Sequence, residues 1–204
     1  MRALVVGTGY VGLVTAACMA EKGINIIALD KDQKKIDQLL QGKMPFYEPS
    51  LGEMVSRHTT QKKLQFISDW KSPIGKMDAY LIAVGTPPLP NGAADLSMVE
   101  LAFQEIITHS NSEAVIILKS TVPPGTAQAL REKLNEKQKN GISIVNAPEF
   151  LREGSAIADF LHPDRIVIGV SSKKAEKILR DLYKPIKAPL VVTDTKSAEI
   201  IKHA

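Results

Sequence analysis

The 204-residue chain is 44% hydrophobic and 24% charged, with charges spread along its length. That pattern excludes a disordered chain and suits one domain, or one domain and the start of another, with a sizeable core. The net charge of +4 tolerates an anionic ligand, but no dense Lys/Arg stripe interleaved with aromatics is present, so nucleic acid is not implied.

In chain order, Ala3 to Val6 reads as a buried strand, Val11 to Lys22 as a helix, Ile24 to Leu29 as a second strand and Gln33 to Leu40 as a second helix. Two prolines make Met44 to Pro49 a loop. Asp78 to Val84 is a strand, followed by a Pro- and Gly-rich loop from Gly85 to Gly92. Ser97 to His109 is helical, with Ser97 as N-cap and Glu100 at the capping-box spacing. Ala114 to Leu118 is a strand that ends at Lys119-Ser120-Thr121, Gly125 to Lys139 a helix, and Ile142 to Asn146 a strand. Arg165 to Val170 and Leu190 to Val192 are further strands, separated by the helical Lys173 to Tyr183.

Continuous apolar strands alternating with helices imply βαβ units and a sheet covered on both faces. Right-handed crossovers then place all the strand C-terminal ends on one edge, where ligands of such sheets bind. Gly7-Thr8-Gly9-Tyr10-Val11-Gly12 follows a strand and opens a helix, which is the context a dinucleotide-binding GxGxxG needs. Gly7 permits the tight turn, Gly9 lets a pyrophosphate approach the backbone, and Gly12 lets helix and strand pack closely. The helix N-terminus supplies free amides and partial positive charge. Asp30 ends the second strand, 18 residues after Gly12. A carboxylate there accepts from both ribose hydroxyls and repels a 2'-phosphate, which favours NAD over NADP. Lys31, Lys34 and Lys35 soften that rejection. The expected fold is α/β, a Rossmann-type doubly wound, mainly parallel sheet with helices on both faces.

Three more strand ends carry polar residues: Gly85-Thr86-Pro87-Pro88, Ser120-Thr121-Val122-Pro123 and Asn146 to Gly154. Thr86 and Thr121 offer hydroxyls to a cofactor or a reacting water. Glu149 and Glu153 lie four apart, so on a helical turn they would share a face and offer general-base or cofactor-contact groups. Spacing leaves structural roles equally open: Thr121 as a cap for the helix near Gly125, and Glu149 with Arg152 as a local ion pair.

Across nearly its full length the chain resembles the N-terminal part of the UDP-glucose/GDP-mannose dehydrogenase family. The residues that carry the resemblance are GTGYVG (Gly7 to Gly12), Tyr47-Glu48-Pro49, VGTP (Val84 to Pro87), KSTVP (Lys119 to Pro123), NAPEFLREG (Asn146 to Gly154), FLHPDRIVIG (Phe160 to Gly169) and SAEIIKHA (Ser197 to Ala204). NAPEFLREG and PDRIVIG look most like the UDP-glucose branch. The resemblance implies an NAD-dependent oxidation of a sugar's primary alcohol to a carboxylate, by two hydride transfers to two NAD. A cysteine nucleophile captures the aldehyde, and the thioester is hydrolysed. By the same resemblance, Val11, Asp30, Lys35, Thr86, Thr121 and Glu153 match NAD-contacting positions. Glu149, Phe150, Leu151, Arg152, Glu153 and Lys202 match positions that contact the sugar nucleotide. Lys202 would stabilise developing oxyanions, Thr121 would hold the hydrolytic water, and Glu149 would assist its attack.

The resemblance divides the chain into an NAD-binding domain over residues 1–195 and the start of a central helix over 196–204. The family's nucleophilic cysteine lies beyond Lys202, in a second domain, and the asparagine expected about one turn after Lys202 is absent. Cys18 does not substitute, because it lies on the helix after the glycine loop in a position expected to be core. The chain is therefore expected to bind NAD without turning over UDP-glucose, and the longer form to be a homodimer built on the central helix. No metal is implied, because Cys18 and the scattered His58, His109, His162 and His203 show no ligand spacing. One cysteine fits a reduced cytoplasmic setting, Met1 opens no signal-peptide pattern, and runs such as Val115 to Leu118 are too short to span a membrane. GDP-mannose or a UDP-N-acetylhexosamine is the alternative substrate. A stand-alone NAD-binding module is the alternative class, against which the retention of Glu149, Thr121 and Lys202 argues.

Overall fold

The computed structural model describes residues 1–71, 74–110 and 113–202. Eight strands form one sheet: β1 (Arg2–Val6), β2 (Asn25–Leu29), β3 (Leu64–Ile67), β4 (Ala79–Ile82), β5 (Ala114–Leu118), β6 (Ile142–Asn146), β7 (Ile166–Gly169) and β8 (Leu190–Thr193). Nine helices are present among the described residues: α1 (Tyr10–Glu21), α2 (Gln33–Leu40), α3 (Leu51–Thr60), α4 (Ser97–His109), α5 (Thr126–Glu132), α6 (Glu136–Gly141), α7 (Ala156–Leu161), α8 (Lys173–Tyr183) and α9 (Thr195–Ile201). The strand order is β3-β2-β1-β4-β5-β6-β7-β8. The chain winds outward from β1 in one direction and from β4 in the other, so a crevice opens between the C-terminal ends of β1 and β4. The doubly wound α/β fold expected from the sequence is present.

The central strands β4 and β5 are apolar and buried at every position, because both sheet faces are covered there. On β1, Ala3 and Val5 face one core with α1, while Leu4 and Val6 face the other with α4 and α5. Helix α1 is buried from Gly12 to Ala20, since it is enclosed by the sheet, α3 and α7. No described helix is long and apolar enough to cross a membrane.

Several expectations are corrected. Strands β7 and β8 run against the rest, because β6 meets β7 antiparallel through the single pair Asn146 and Gly169. The strand C-terminal ends are thus not all on one edge. The reversal instead brings the residues that precede β7 beside those that follow β6. It also sends α9 back from β8 toward the ligand edge, where Lys202 follows it. The capping box at Ser97 does not form: Leu96 is the N-cap, and the Ser97 amide donates to Asp95 Oδ1 at 2.9 Å. A capping box does form at Asn135 and Gln138. It splits the single helix expected from Gly125 to Lys139 into α5 and α6, since a residue that satisfies the amides of a new helix ends the old one. Helices α3 and α7 and strand β3 were not anticipated. On α3 the buried positions Leu51, Met54, Val55 and His58 follow helical spacing. A histidine occupies the last of them, paired with Glu21 on α1 at 2.5 Å, and this breaks the apolar pattern. Strand β3 is a four-residue edge strand, too short for a clear alternation.

Candidate functional site

The glycine loop is built around close backbone approach. A Cβ on Gly12 would lie 1.9 Å from the Gly7 carbonyl oxygen, while one on Gly9 would meet nothing within 4 Å. Only the first position is filled by the protein; the second is open toward the crevice. No side chain caps the N-terminus of α1, which leaves its first amides for an incoming anion.

Asp30 follows β2 beside this loop. Its Oδ2 accepts from the Thr8 amide (2.9 Å), the Thr8 hydroxyl (2.8 Å) and Lys35 Nζ (2.9 Å). Its Oδ1 accepts from the Asp32 amide at 3.1 Å. Burial opposes ionisation of Asp30, but these donors, Lys35 first, outweigh it and hold the carboxyl below the ordinary aspartate range. Lys35 is therefore an ion-pair partner rather than a solvated lysine. The crevice encloses about 360 Å³ between Gly7, Gly9 and Asp30 on one side and Val84 and Gly85 on the other. Trp70, Met98 and Leu101 complete its outer wall. Met98 and Leu101 share one face of α4 and Trp70 follows β3, so neighbouring residues gave no signal that they meet at the crevice. The dimensions, the open Gly9 and the ordered carboxylate fit a dinucleotide.

Tyr10 belongs to the glycine motif, but its side chain leaves the crevice. Its hydroxyl donates to Glu48 Oε2 (2.7 Å) and lies 3.1 Å from the Arg152 carbonyl. Burial, then the Glu48 carboxylate, raises the Tyr10 phenol above its ordinary range. Val11 is half-buried against the core.

The other strand ends meet farther along the same edge. The Thr86 hydroxyl donates to the Thr121 carbonyl at 2.8 Å, which joins the loops after β4 and β5. Residues 147–152 are not helical, so the expected shared helical face of Glu149 and Glu153 is absent. Proline at 148 and the extended path from β6 separate them. Glu149 is largely buried and pairs with Lys202 Nζ at 2.9 Å, and its Oε2 accepts the Leu151 amide at 2.6 Å. Glu153 is exposed. The local pair of Glu149 with Arg152 does not form either: Arg152 binds Asp159 at 2.7 Å. The Arg165 guanidinium and Lys202 Nζ lie over the Phe150 ring, 5.3 and 5.6 Å from its centroid. A cavity of about 400 Å³ opens here, lined among others by Lys119, Glu149, Phe150, Arg165 and Tyr183.

Two residues that sequence reasoning missed shape this end. Lys119 is 4% exposed; its amide donates to the Ile82 carbonyl at 2.9 Å, but its ammonium makes no hydrogen bond or ion pair among the described residues. Burial pushes its ammonium down to about 8. Glu199, on α9, accepts from the amides of Gly125 (2.5 Å) and Ala127 (2.8 Å). It caps α5, the role that spacing left open to Thr121, and it ties α9, and so Lys202, to the Thr121 loop. Glu199→Ala leaves two buried amides without their charged acceptor and is expected to cost about 2 kcal/mol. Thermal melting checks this, with Glu199→Gln expected to recover part of the loss.

Cys18 is fully buried, and burial pushes its thiol up to about 12. It is a packing residue, as expected. No group of His, Cys, Asp and Glu that could hold a metal exists among the described residues.

Comparison with known proteins places this edge in context. Residues 1–187 match the UDP-glucose/GDP-mannose dehydrogenase family, NAD binding domain. The chain is 44% identical over 202 residues to UDP-glucose 6-dehydrogenase TuaD of Bacillus subtilis (strain 168), covering 98% of this chain and 44% of that protein. It superimposes with a TM-score of 0.92 on a UDP-glucose dehydrogenase from the hyperthermophilic archaeon Pyrobaculum islandicum, at 38% identity, over 99% of this chain and 48% of that one. It superimposes equally, with a TM-score of 0.92 at 33% identity, on a GDP-mannose dehydrogenase from Pseudomonas aeruginosa, over 100% of this chain and 48% of that one. The chain thus spans less than half the length of these relatives. With its glycine loop, its Asp30 cradle and this match, the chain belongs to the UDP-glucose/GDP-mannose dehydrogenase family and carries that family's NAD-binding domain.

Proposed function

We propose that the chain is the NAD-binding part of a UDP-glucose 6-dehydrogenase, which oxidises UDP-glucose to UDP-glucuronate. The observation that carries this reading is the Glu149–Lys202 pair, built at the edge that also holds the dinucleotide crevice. A module that only bound NAD would have no use for a buried lysine–glutamate pair beyond the cofactor.

NAD, when bound, supplies the hydride acceptor. The chain's own residues bind and orient. Gly7, Gly9, Tyr10, Val11 and Gly12 offer the pyrophosphate backbone amides, and Asp30 with Lys35 offers the adenosine ribose an ordered acceptor and donor. Thr86, Thr121 and Glu153 flank the nicotinamide end. Lys202 stabilises negative charge on the sugar oxygen, and a mostly buried ammonium is well placed for that. Glu149, freed from Lys202 when substrate intervenes, assists attack by a water held by the Thr121 hydroxyl. Residues 150–153 present backbone to the nucleotide sugar. The nucleophile must come from elsewhere than Cys18, so these 204 residues bind NAD without net turnover. The longer enzyme acts as a cytoplasmic homodimer in this reading.

A second reading, a GDP-mannose enzyme, is supported by the equal TM-score of the GDP-mannose dehydrogenase. NADH formation by the longer protein with UDP-glucose, GDP-mannose and UDP-N-acetylmannosamine decides between them. Activity with GDP-mannose alone would overturn the first reading. For the cofactor, Asp30→Ala is expected to weaken NAD about tenfold in calorimetry, the effect of losing roughly 1.4 kcal/mol, and to narrow the preference over NADP. An unchanged preference would remove Asp30 from cofactor selection.

A further inference from the structure

Glu48 is 5% exposed, lies outside the dinucleotide crevice, and holds three distant segments together. Its Oε2 accepts the Tyr10 hydroxyl at 2.7 Å and the Gly154 amide at 2.9 Å, across sequence separations of 38 and 106 residues. The Tyr10 hydroxyl also lies 3.1 Å from the Arg152 carbonyl. Phe46 packs on the Tyr10 ring, with centroids 4.9 Å apart. Glu153 thus sits between two residues whose backbone is held by this one cluster. Tyr10 is at the same time the first residue of α1, where a bound pyrophosphate would rest. The cluster connects the start of α1 directly to the turn at 152–154.

We propose that Glu48 is a positioning residue that couples occupancy of the dinucleotide site at the α1 N-terminus to the conformation of residues 149–154. Three points favour coupling over simple support. A buried carboxylate is a costly way to hold a turn, since apolar packing would hold it at no cost in desolvation. Among the described residues the carboxylate bonds only to the two elements to be coupled, the helix that receives the dinucleotide and the turn that carries Glu153. The Gly154 amide, in an exposed residue at φ +83°, takes Glu48 as its acceptor, whereas Arg152 two residues earlier is held separately by Asp159. Fixing Tyr10 by ligand contact at its amide therefore fixes the acceptor that holds the Gly154 amide. By linkage, ordering the turn strengthens dinucleotide binding to the same degree.

The proposal rests on NAD binding at the glycine loop, and calorimetry of the unaltered chain with NAD tests that separately. Hydrogen exchange of the peptide covering 150–156, with and without NAD, tests the coupling. In the wild-type chain NAD is expected to slow exchange there about tenfold, within the usual range of coupling between sites. In Glu48→Ala that NAD-dependent slowing is expected to disappear, and Glu48→Gln, whose amide oxygen still accepts from both donors, is expected to restore most of it. Tyr10→Phe keeps the packing on Phe46, deletes the hydroxyl, and is expected to lose the slowing as Glu48→Ala does; it serves also if Glu48→Ala fails to fold. A merely structural Glu48 would speed exchange equally in both states and leave the ratio unchanged. That result would overturn the proposal, as would an absence of NAD-dependent slowing in the wild-type chain.

Discussion

Gly12→Ala is expected to lower NAD affinity at least about 100-fold, equivalent to roughly 2.7 kcal/mol, while the sheet remains folded. The added Cβ would lie 1.9 Å from the Gly7 carbonyl oxygen and 2.9 Å from its carbon. Both are backbone atoms, so no side chain can swing away. Gly7 cannot retreat either. Its amide donates to the Leu29 carbonyl at 2.7 Å, and it stands at φ +98° against the Ala83 carbonyl. Helix α1 and the loop must therefore separate by about an ångström, which carries Gly9 and the first helical amides away from the pyrophosphate. Overpacking of this kind costs about 1–3 kcal/mol, and in a chain of this size each kcal/mol lowers Tm by roughly 2–4 °C. Calorimetry with NAD and a thermal melt give both numbers. Gly52→Ala is the control. It lies on α3, its Cβ would meet only Met44 Cγ at 3.6 Å, and alanine there is expected to raise stability by up to about 1 kcal/mol. NAD affinity in Gly12→Ala within threefold of wild type would mean that this loop does not hold the pyrophosphate.

The glycine loop was legible because its chemistry is local: strand, three glycines, helix and acid follow one another within 30 residues. Helices α2, α4 and α8 and strands β5 and β6 were legible for the same reason, since apolar periodicity is written into consecutive residues. What escaped is what depends on distant partners. Glu199 reads from its neighbours as a surface glutamate on a helix, and only the α5 amides more than 70 residues earlier explain its burial. Glu48 reads as a loop residue until Gly154, 106 residues on, donates to it. The reversal of β7 rests on one residue pair, for which no periodicity exists. The supposed helical face of Glu149 and Glu153 failed because i,i+4 spacing has meaning only inside a helix. Family resemblance named Lys202, but the return of α9 to the ligand edge follows from that reversal.

A lysine without a counter-ion gives the second large effect. The stability of the wild-type chain, relative to Lys119→Met, is expected to rise by about 3 kcal/mol between pH 8 and 10.5. Lys119 is 4% exposed. Burial lowers its folded value from 10.5 to about 8, with Glu149 only partly offsetting this and Lys202 adding to it. The sign follows from proton counting. Between about 8 and the ordinary 10.5, the unfolded chain holds a proton that the folded chain has released. High pH therefore favours the folded state, and the penalty is fully present below pH 8. Cys18 and the buried tyrosines work in the opposite direction, because folding raises their values and alkali favours their unfolded, ionised forms. The difference between wild type and Lys119→Met removes those contributions, since both chains carry them. At pH 7 the variant is expected to be the more stable of the two, because an apolar side chain of similar length takes the place of an unpaired buried charge. Urea unfolding of both chains at pH 7, 8.5 and 10 measures it. Parallel curves would mean that Lys119 is solvated or paired in solution, and that the cavity beside Glu149 and Lys202 is more polar than its lining indicates. Converging curves would mean that at neutral pH the folded chain bears a cation beside Glu149 and Lys202 with no partner of its own.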